Sequence, residues 1–138
     1  MDVQYRNLKE GEAADQNEFH EIFERLLQKA KELVASDPSV QQVIAMLASN
    51  GQIFSCMNHD IIAGNNTEET DFVNMLAEND ATEIRYCVCM WNDFTLDIPS
   101  QHLRELLVEL SPFNRMTQFL LRSGEKFVVR MLDEMQGV

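Results

Sequence analysis

The sequence predicts an α/β protein, a three-layer α/β/α sandwich built on a mixed five-stranded sheet. Two observations carry this. One long helical period opens the patterned part of the chain, and the segments after it switch between short apolar, β-branched runs and amphipathic stretches with a period near 3.6. The resulting order is helix, two strands, helix, strand, helix, two strands and a short closing helix. Helices alternating with single strands after an initial hairpin imply a mixed sheet covered on both faces.

Residues 1–14 are polar and interrupted by Gly11, so a flexible lead-in is expected there, with one domain over 15–138. From Asp15 to Ala35, Phe19, Ile22, Phe23, Leu26, Leu27, Ala30, Leu33 and Val34 follow a helical period, and Asp37-Pro38 closes the run. His20 sits beside that stripe as a partly exposed imidazole. Val40–Ala48 and Gln52–Met57 flank Ser49-Asn50-Gly51, whose residues tolerate positive φ, and together they read as a hairpin. After a polar loop from Asn58 to Asn66, Thr67 is the expected N-cap of a helix with Glu68 and Glu69 in its first turn. That helix carries Phe72, Val73, Met75, Leu76 and Ala77 inward.

Glu83–Trp91 reads as a buried strand. Pro99 suits a first helical turn, Ser100 can cap it, and Leu103, Leu106, Leu107 and Leu110 form the apolar face that leaves Arg104, Glu105 and Glu109 outside. Arg115–Leu121 and Lys126–Val129 are the last strands, separated by Ser123-Gly124, and Met131–Met135 forms the closing helix.

A net charge of −12, from 23 acidic and 11 basic residues, disfavours a nucleic-acid or anionic-membrane partner, because both would be repelled. The absence of a long apolar run and the polarity of the first residues point to a cytoplasmic protein. The three cysteines, Cys56, Cys87 and Cys89, lie in apolar sequence and read as reduced core thiols; alternation places Cys87 and Cys89 on one face of their strand.

Several of these segments also resemble the small zinc-dependent cytidine deaminases, over about Phe19 to Met135. Val43-Ile44-Ala45-Met46-Leu47 followed by Asn50-Gly51-Gln52-Ile53-Phe54 is similar to the family's first hairpin. Asn58-His59-Asp60 resembles its Asn-x-Glu segment, which holds the ribose. Pro99-Ser100-Gln101-His102-Leu103-Arg104 resembles its Pro-Cys-x-x-Cys-Arg segment, and Leu120 through Gly124-Glu125 to Leu132-Asp133-Glu134-Met135 resembles its tail.

The resemblance implies a site made from a His/Cys-Ala-Glu motif and the Pro-Cys-x-x-Cys pair, holding Zn²⁺ beside a proton-shuttling glutamate. Two placements of the first motif compete. Leu76-Ala77-Glu78 matches the letters but leaves only residues 79–83 before the strand at Ile84, whereas Thr67-Glu68-Glu69 leaves residues 70–83 for a helix and is preferred. Thr67, Ser100 and Leu103 then stand at the three ligand positions, and a hydroxyl or a leucine does not replace a thiolate. No cofactor is expected. Glu69 takes the proton-shuttle position, although an acidic residue in a first helical turn is also an ordinary dipole partner. Asn58, Asp60 and Glu69 are the candidate ligand-binding residues. Gln41 falls near the place of the family's base-packing aromatic.

The resulting expectation is a catalytically inactive, zinc-less protein that binds a nucleoside or nucleotide as a regulatory pseudoenzyme. The alternative is a structural or oligomeric scaffold. A third reading is a divergent deaminase whose metal site is rebuilt around His59 and His102. The resemblance also implies a homodimer or homotetramer.

Overall fold

The structure is a computed structural model describing residues 13–135, with side chains from His20 onward. Residues 1–12 of the expected lead-in lie outside it; residues 13 and 14 already belong to helix α1 (Ala13–Ser36). The five strands are β1 (Gln42–Ala48), β2 (Ile53–Asn58), β3 (Ile84–Trp91), β4 (Gln118–Ser123) and β5 (Lys126–Met131). They lie in the order β2-β1-β3-β4-β5, antiparallel except for the parallel β3–β4 pair. Helices α2 (Thr67–Glu78) and α3 (Gln101–Leu110) make the crossovers on either side of β3.

Phe23, Leu26, Ala30 and Val34 recur at three- and four-residue spacings and are buried, so α1 lays one stripe on the sheet. It meets Val43, Ala45 and Leu47 of β1 and Val88 and Met90 of β3. The alternate residues Ile44, Met46, Cys87 and Cys89 face the opposite way, against Phe72 and Leu76 of α2 and Leu103 and Leu107 of α3. β1 is therefore buried along its whole length, which explains the apolar run from Val43 to Ala48. Three layers result.

The turns follow their residues. Asp37 ends the α1 connection by accepting from the Ser39 amide and hydroxyl at 3.0 and 2.6 Å. Gly51, at φ 88°, closes the β1–β2 hairpin in the left-handed region that glycine occupies without strain.

Five local expectations need correction. Thr67 is the first helical residue rather than the cap, because Asn66 precedes α2 as N-cap and Asn65 Oδ1 already accepts the Thr67 amide at 3.1 Å. Ala77 is exposed: it lies one residue past the buried Leu76 and has rotated off the apolar stripe. Pro99 precedes α3, which starts after the Ser100 cap. Arg104 is buried, its Nε donating to the Pro99 carbonyl at 3.2 Å and Nη1 to the Met135 carbonyl at 2.9 Å. Arg115 lies in a 3₁₀ turn over Pro112–Met116, started by Pro112 and the Ser111 hydroxyl, so β4 begins only at Gln118.

At the end of the chain β5 extends to Met131, and the closing element is one 3₁₀ turn, Leu132–Met135.

Candidate functional site

The C-terminal end of β2 and the first turns of α2 and α3 meet at one corner of the α2/α3 layer. Asn58, the last residue of β2, and Glu69, in the first turn of α2, are both fully buried. Asn58 Nδ2 donates to Glu69 Oε2 at 2.9 Å and reaches Gln42 Oε1 at 3.4 Å. The Ser100 hydroxyl donates to the other carboxyl oxygen, Oε1, at 2.6 Å, and its oxygen accepts the Leu103 amide at 3.0 Å. Ser100 thus caps α3 and joins it to α2 at once. A second link between the helix starts is the 2.9 Å contact of Thr70 Oγ1 with His102 Nε2.

Leu103 is fully buried and packs in the same cluster as Cys56, Cys87 and Cys89. Burial pushes the Cys56 thiol up to about 12 and holds those of Cys87 and Cys89 well above their ordinary value. None of these thiols is a ready nucleophile or metal ligand.

At the outer edge of the corner His59 stands between two carboxylates. Its Nε2 lies 2.7 Å from Asp37 Oδ2 and its Nδ1 lies 2.7 Å from Glu68 Oε2, while the His59 amide donates to Glu68 Oε1 at 2.7 Å. Both ring nitrogens donate only in the imidazolium form. The hydrogen bond to Asp37, followed by that to Glu68, accordingly raises the His59 pKa above its ordinary value. The Ser39 hydroxyl, and then His59, lower the Asp37 carboxyl to about 2.

Of the residues singled out from sequence, Asn58, Glu69 and Ser100 come together, with Leu103 packed beneath them. Asp60 does not join them: its side chain is exposed, and its carbonyl accepts the Asn65 amide in the loop at 3.1 Å. Thr67 is exposed at the start of α2, and Glu78 is exposed at its last residue, the far end from Ser100. Gln41 uses Oε1 to accept the Ile62 amide at 3.0 Å. His59 and His102 take separate partners. Gln42, missed from sequence, is buried within the corner; as the first residue of β1, next to Gln41, it carried no signal of its own.

The corner has the wrong donors for zinc. Ser100 supplies a neutral hydroxyl already engaged with Glu69, Leu103 supplies none, and both Glu69 oxygens accept hydrogen bonds from the protein. Among the described residues no group of three or more His, Cys, Asp or Glu side chains is arranged to hold a metal ion.

This architecture, with Asn58, Glu69 and the α3 start at one corner, is the cytidine deaminase-like fold. The cytidine deaminase of Mycobacterium leprae matches with a TM-score of 0.62 at 13% identity, over 84% of this chain and 98% of that one. The cytidine deaminase of Bacillus anthracis gives a TM-score of 0.64 at 14% identity, over 83% and 86% of the two chains. That of Mycobacterium tuberculosis gives 0.61 at 15% identity, over 83% and 94%. No protein-family model matches the sequence, and no curated protein matches it. The TM-scores establish the shared fold, and at 13–15% identity they carry no chemistry with them. Among the described residues no helix is long and apolar enough to cross a membrane.

Proposed function

We propose that this chain is a catalytically silent protein of cytidine deaminase-like fold that acts as a cytoplasmic, self-associating scaffold. The single observation that carries the reading is Glu69: it is 0% exposed, and its two carboxyl oxygens are occupied by Asn58 and Ser100. A proton shuttle must reach the substrate it serves, and a ribose contact must present a free polar edge. Neither requirement is met by a group whose acceptors are spent inside the fold. Glu69 instead ties β2, α2 and α3 together.

A nucleoside- or nucleotide-binding regulator is the second reading. It is favoured by the convergence of Asn58 and Glu69 on the end of β2, and it requires the Asn58–Glu69–Ser100 contacts to open when ligand enters.

Thermal-shift titration with cytidine, uridine and their monophosphates separates the two readings, because a ligand selective for the folded state raises Tm with concentration. The scaffold reading expects no saturable rise, together with a dimer or tetramer by light scattering. A saturable rise abolished by Asn58→Ala would replace it with the binding reading, and a monomer at high concentration would refute self-association.

A further inference from the structure

On the opposite face of the sheet, α1 packs over β1 and β3 and leaves the β4–β5 hairpin beyond its edge. Between the helix and the hairpin lies a cleft of about 380 Å³. That volume falls at the lower end of the range of small-molecule sites. Its apolar surface comes from Leu27 of α1, Met90 of β3, Leu96 of the following loop and Phe127 of β5.

The charged residues of its lining run against the rest of the chain, although Glu21, Glu24 and Glu32 line the adjoining cleft that shares Lys31. The sequence carries 23 acidic residues against 11 basic ones, yet the described residues lining the cleft include Lys31 and Arg122 and no carboxylate. Arg122 lies with its guanidinium carbon 5.0 Å from the centre of the Phe127 ring, and its Nε donates to the Gly124 carbonyl at 3.2 Å. Its two terminal nitrogens have no partner among the described residues, and neither has the Lys31 ammonium. The cation–π contact holds the guanidinium beside the ring while leaving donors for an anion.

Phe94, which also lines the cleft, is held at φ 70° and is 50% exposed. A bulky residue in the left-handed region is a rare and strained choice where glycine or asparagine would serve. The surrounding turn enforces it. The Phe94 amide donates to the Trp91 carbonyl and the Trp91 amide to the Thr95 carbonyl, both at 2.8 Å, and Asp93 Oδ1 accepts the Thr95 amide and hydroxyl at 3.1 and 2.6 Å. Strain maintained this way, with an aromatic ring presented to solvent beside an apolar cleft, is characteristic of a ligand contact.

We infer that the cleft between α1 and the β4–β5 hairpin binds a small amphiphilic carboxylate, its apolar body against Phe94, Leu96 and Phe127 and its anionic head between Lys31 and Arg122. The site is independent of the Asn58–Glu69–Ser100 corner, which lies on the other side of the sheet.

Calorimetric titration of the full chain with naphthoate and with its uncharged amide tests this. Naphthoate should bind saturably at one site, and the amide about tenfold or more weaker, since one hydrogen-bonded charge contact is worth about that factor. Lys31→Glu and Arg122→Glu should each weaken naphthoate about tenfold while leaving the amide nearly unchanged. Both side chains are exposed, so the fold should tolerate the changes. Phe94→Gly should weaken both probes without lowering Tm, because it removes the ring and relieves the backbone. Equal binding of the acid and amide, indifference to both charge reversals, or no saturable naphthoate binding would overturn the inference.

Discussion

The reading of Glu69 as a brace makes a quantitative demand on Glu69→Ala. Truncation removes the acceptor of the Ser100 hydroxyl and leaves Asn58 Nδ2 with only its 3.4 Å contact to Gln42, inside a corner where Asn58 and Glu69 are fully buried. Each orphaned donor costs about 1–3 kcal/mol, and the lost packing adds to this. Water admitted to a polar hole returns part of it. A net loss of about 4 kcal/mol follows, equivalent to a fall in Tm of roughly 12 °C for a chain of this length. Glu69→Gln is a near-isosteric control. Its amide oxygen can accept from Asn58 and its amide nitrogen can donate to Ser100 Oγ, so the loss should be about 1 kcal/mol. Urea unfolding of both variants without ligand measures the difference. A double-mutant cycle with Ser100→Ala should show a coupling above about 1 kcal/mol, outside the scatter of independent sites. If Glu69→Ala unfolds within about 1 kcal/mol of the parent chain, the brace does not exist.

Four further expectations follow from the same region. Cys87 and Cys89 should label with a thiol reagent only on unfolding, because both are fully buried and their pKa values are raised well above the ordinary range; native labelling at the rate of a free thiol would contradict the packing. His59→Gln should lower Tm most at acidic to neutral pH. The His59 pKa is raised above 6.5 by Asp37 and then Glu68, so its stabilisation is complete below 6.5 and disappears as pH rises through the raised value; a Tm gap that widens on alkalinisation would refute the assignment. Asp37 runs the other way: its pKa is lowered from 3.8 to about 2, so its contribution is present above 3.8 and lost as pH falls toward 2. Elemental analysis after growth with added zinc should give well under one zinc per chain, and stoichiometric metal would refute the donor argument at Ser100 and Leu103.

The layers were legible because burial imposes a period on the sequence. The i, i+3, i+4 stripe of α1, the apolar run Val43–Ala48 of β1 and the alternation of Cys87 and Cys89 all report which face meets the core. What sequence reasoning missed depends on partners distant along the chain. Arg104 sits at a helical position that looks solvated, yet the Leu132–Met135 turn brings the Met135 carbonyl over it. Asn114, read as part of no element, is fully buried and holds the Ile84 amide and the Thr82 and Leu107 carbonyls at 2.8 Å each. Its contacts turn Pro112–Met116 into a 3₁₀ knot and delay β4. At the site, Asn58, Glu69 and Ser100 were singled out by the resemblance, and they come together although both helix starts lie one residue from where they were expected. The fate of the carboxyl oxygens was not legible, because a sequence does not reveal whether a polar side chain faces a cavity or another side chain.

The geometry of that corner explains why a polar group remains in it. The starts of α2 and α3 converge there, and each start carries unsatisfied amides and the positive end of a helix dipole. Two such ends brought together repel one another, and an apolar filling would leave their field uncompensated. Here the Glu69 carboxyl oxygens occupy the junction, one taking the hydroxyl of the α3 cap and the other the Asn58 amide of β2. Leu103 fills the apolar space beneath, and Glu69 supplies the acceptors above it. Glu69→Leu should therefore be worse than a size-matched core exchange. It leaves the same two donors unpaired and removes the acceptor facing both helix starts, which predicts a loss at least as large as that of Glu69→Ala despite better filling. A Glu69→Leu chain more stable than the alanine variant by several kcal/mol would show that volume, not polarity, governs the corner.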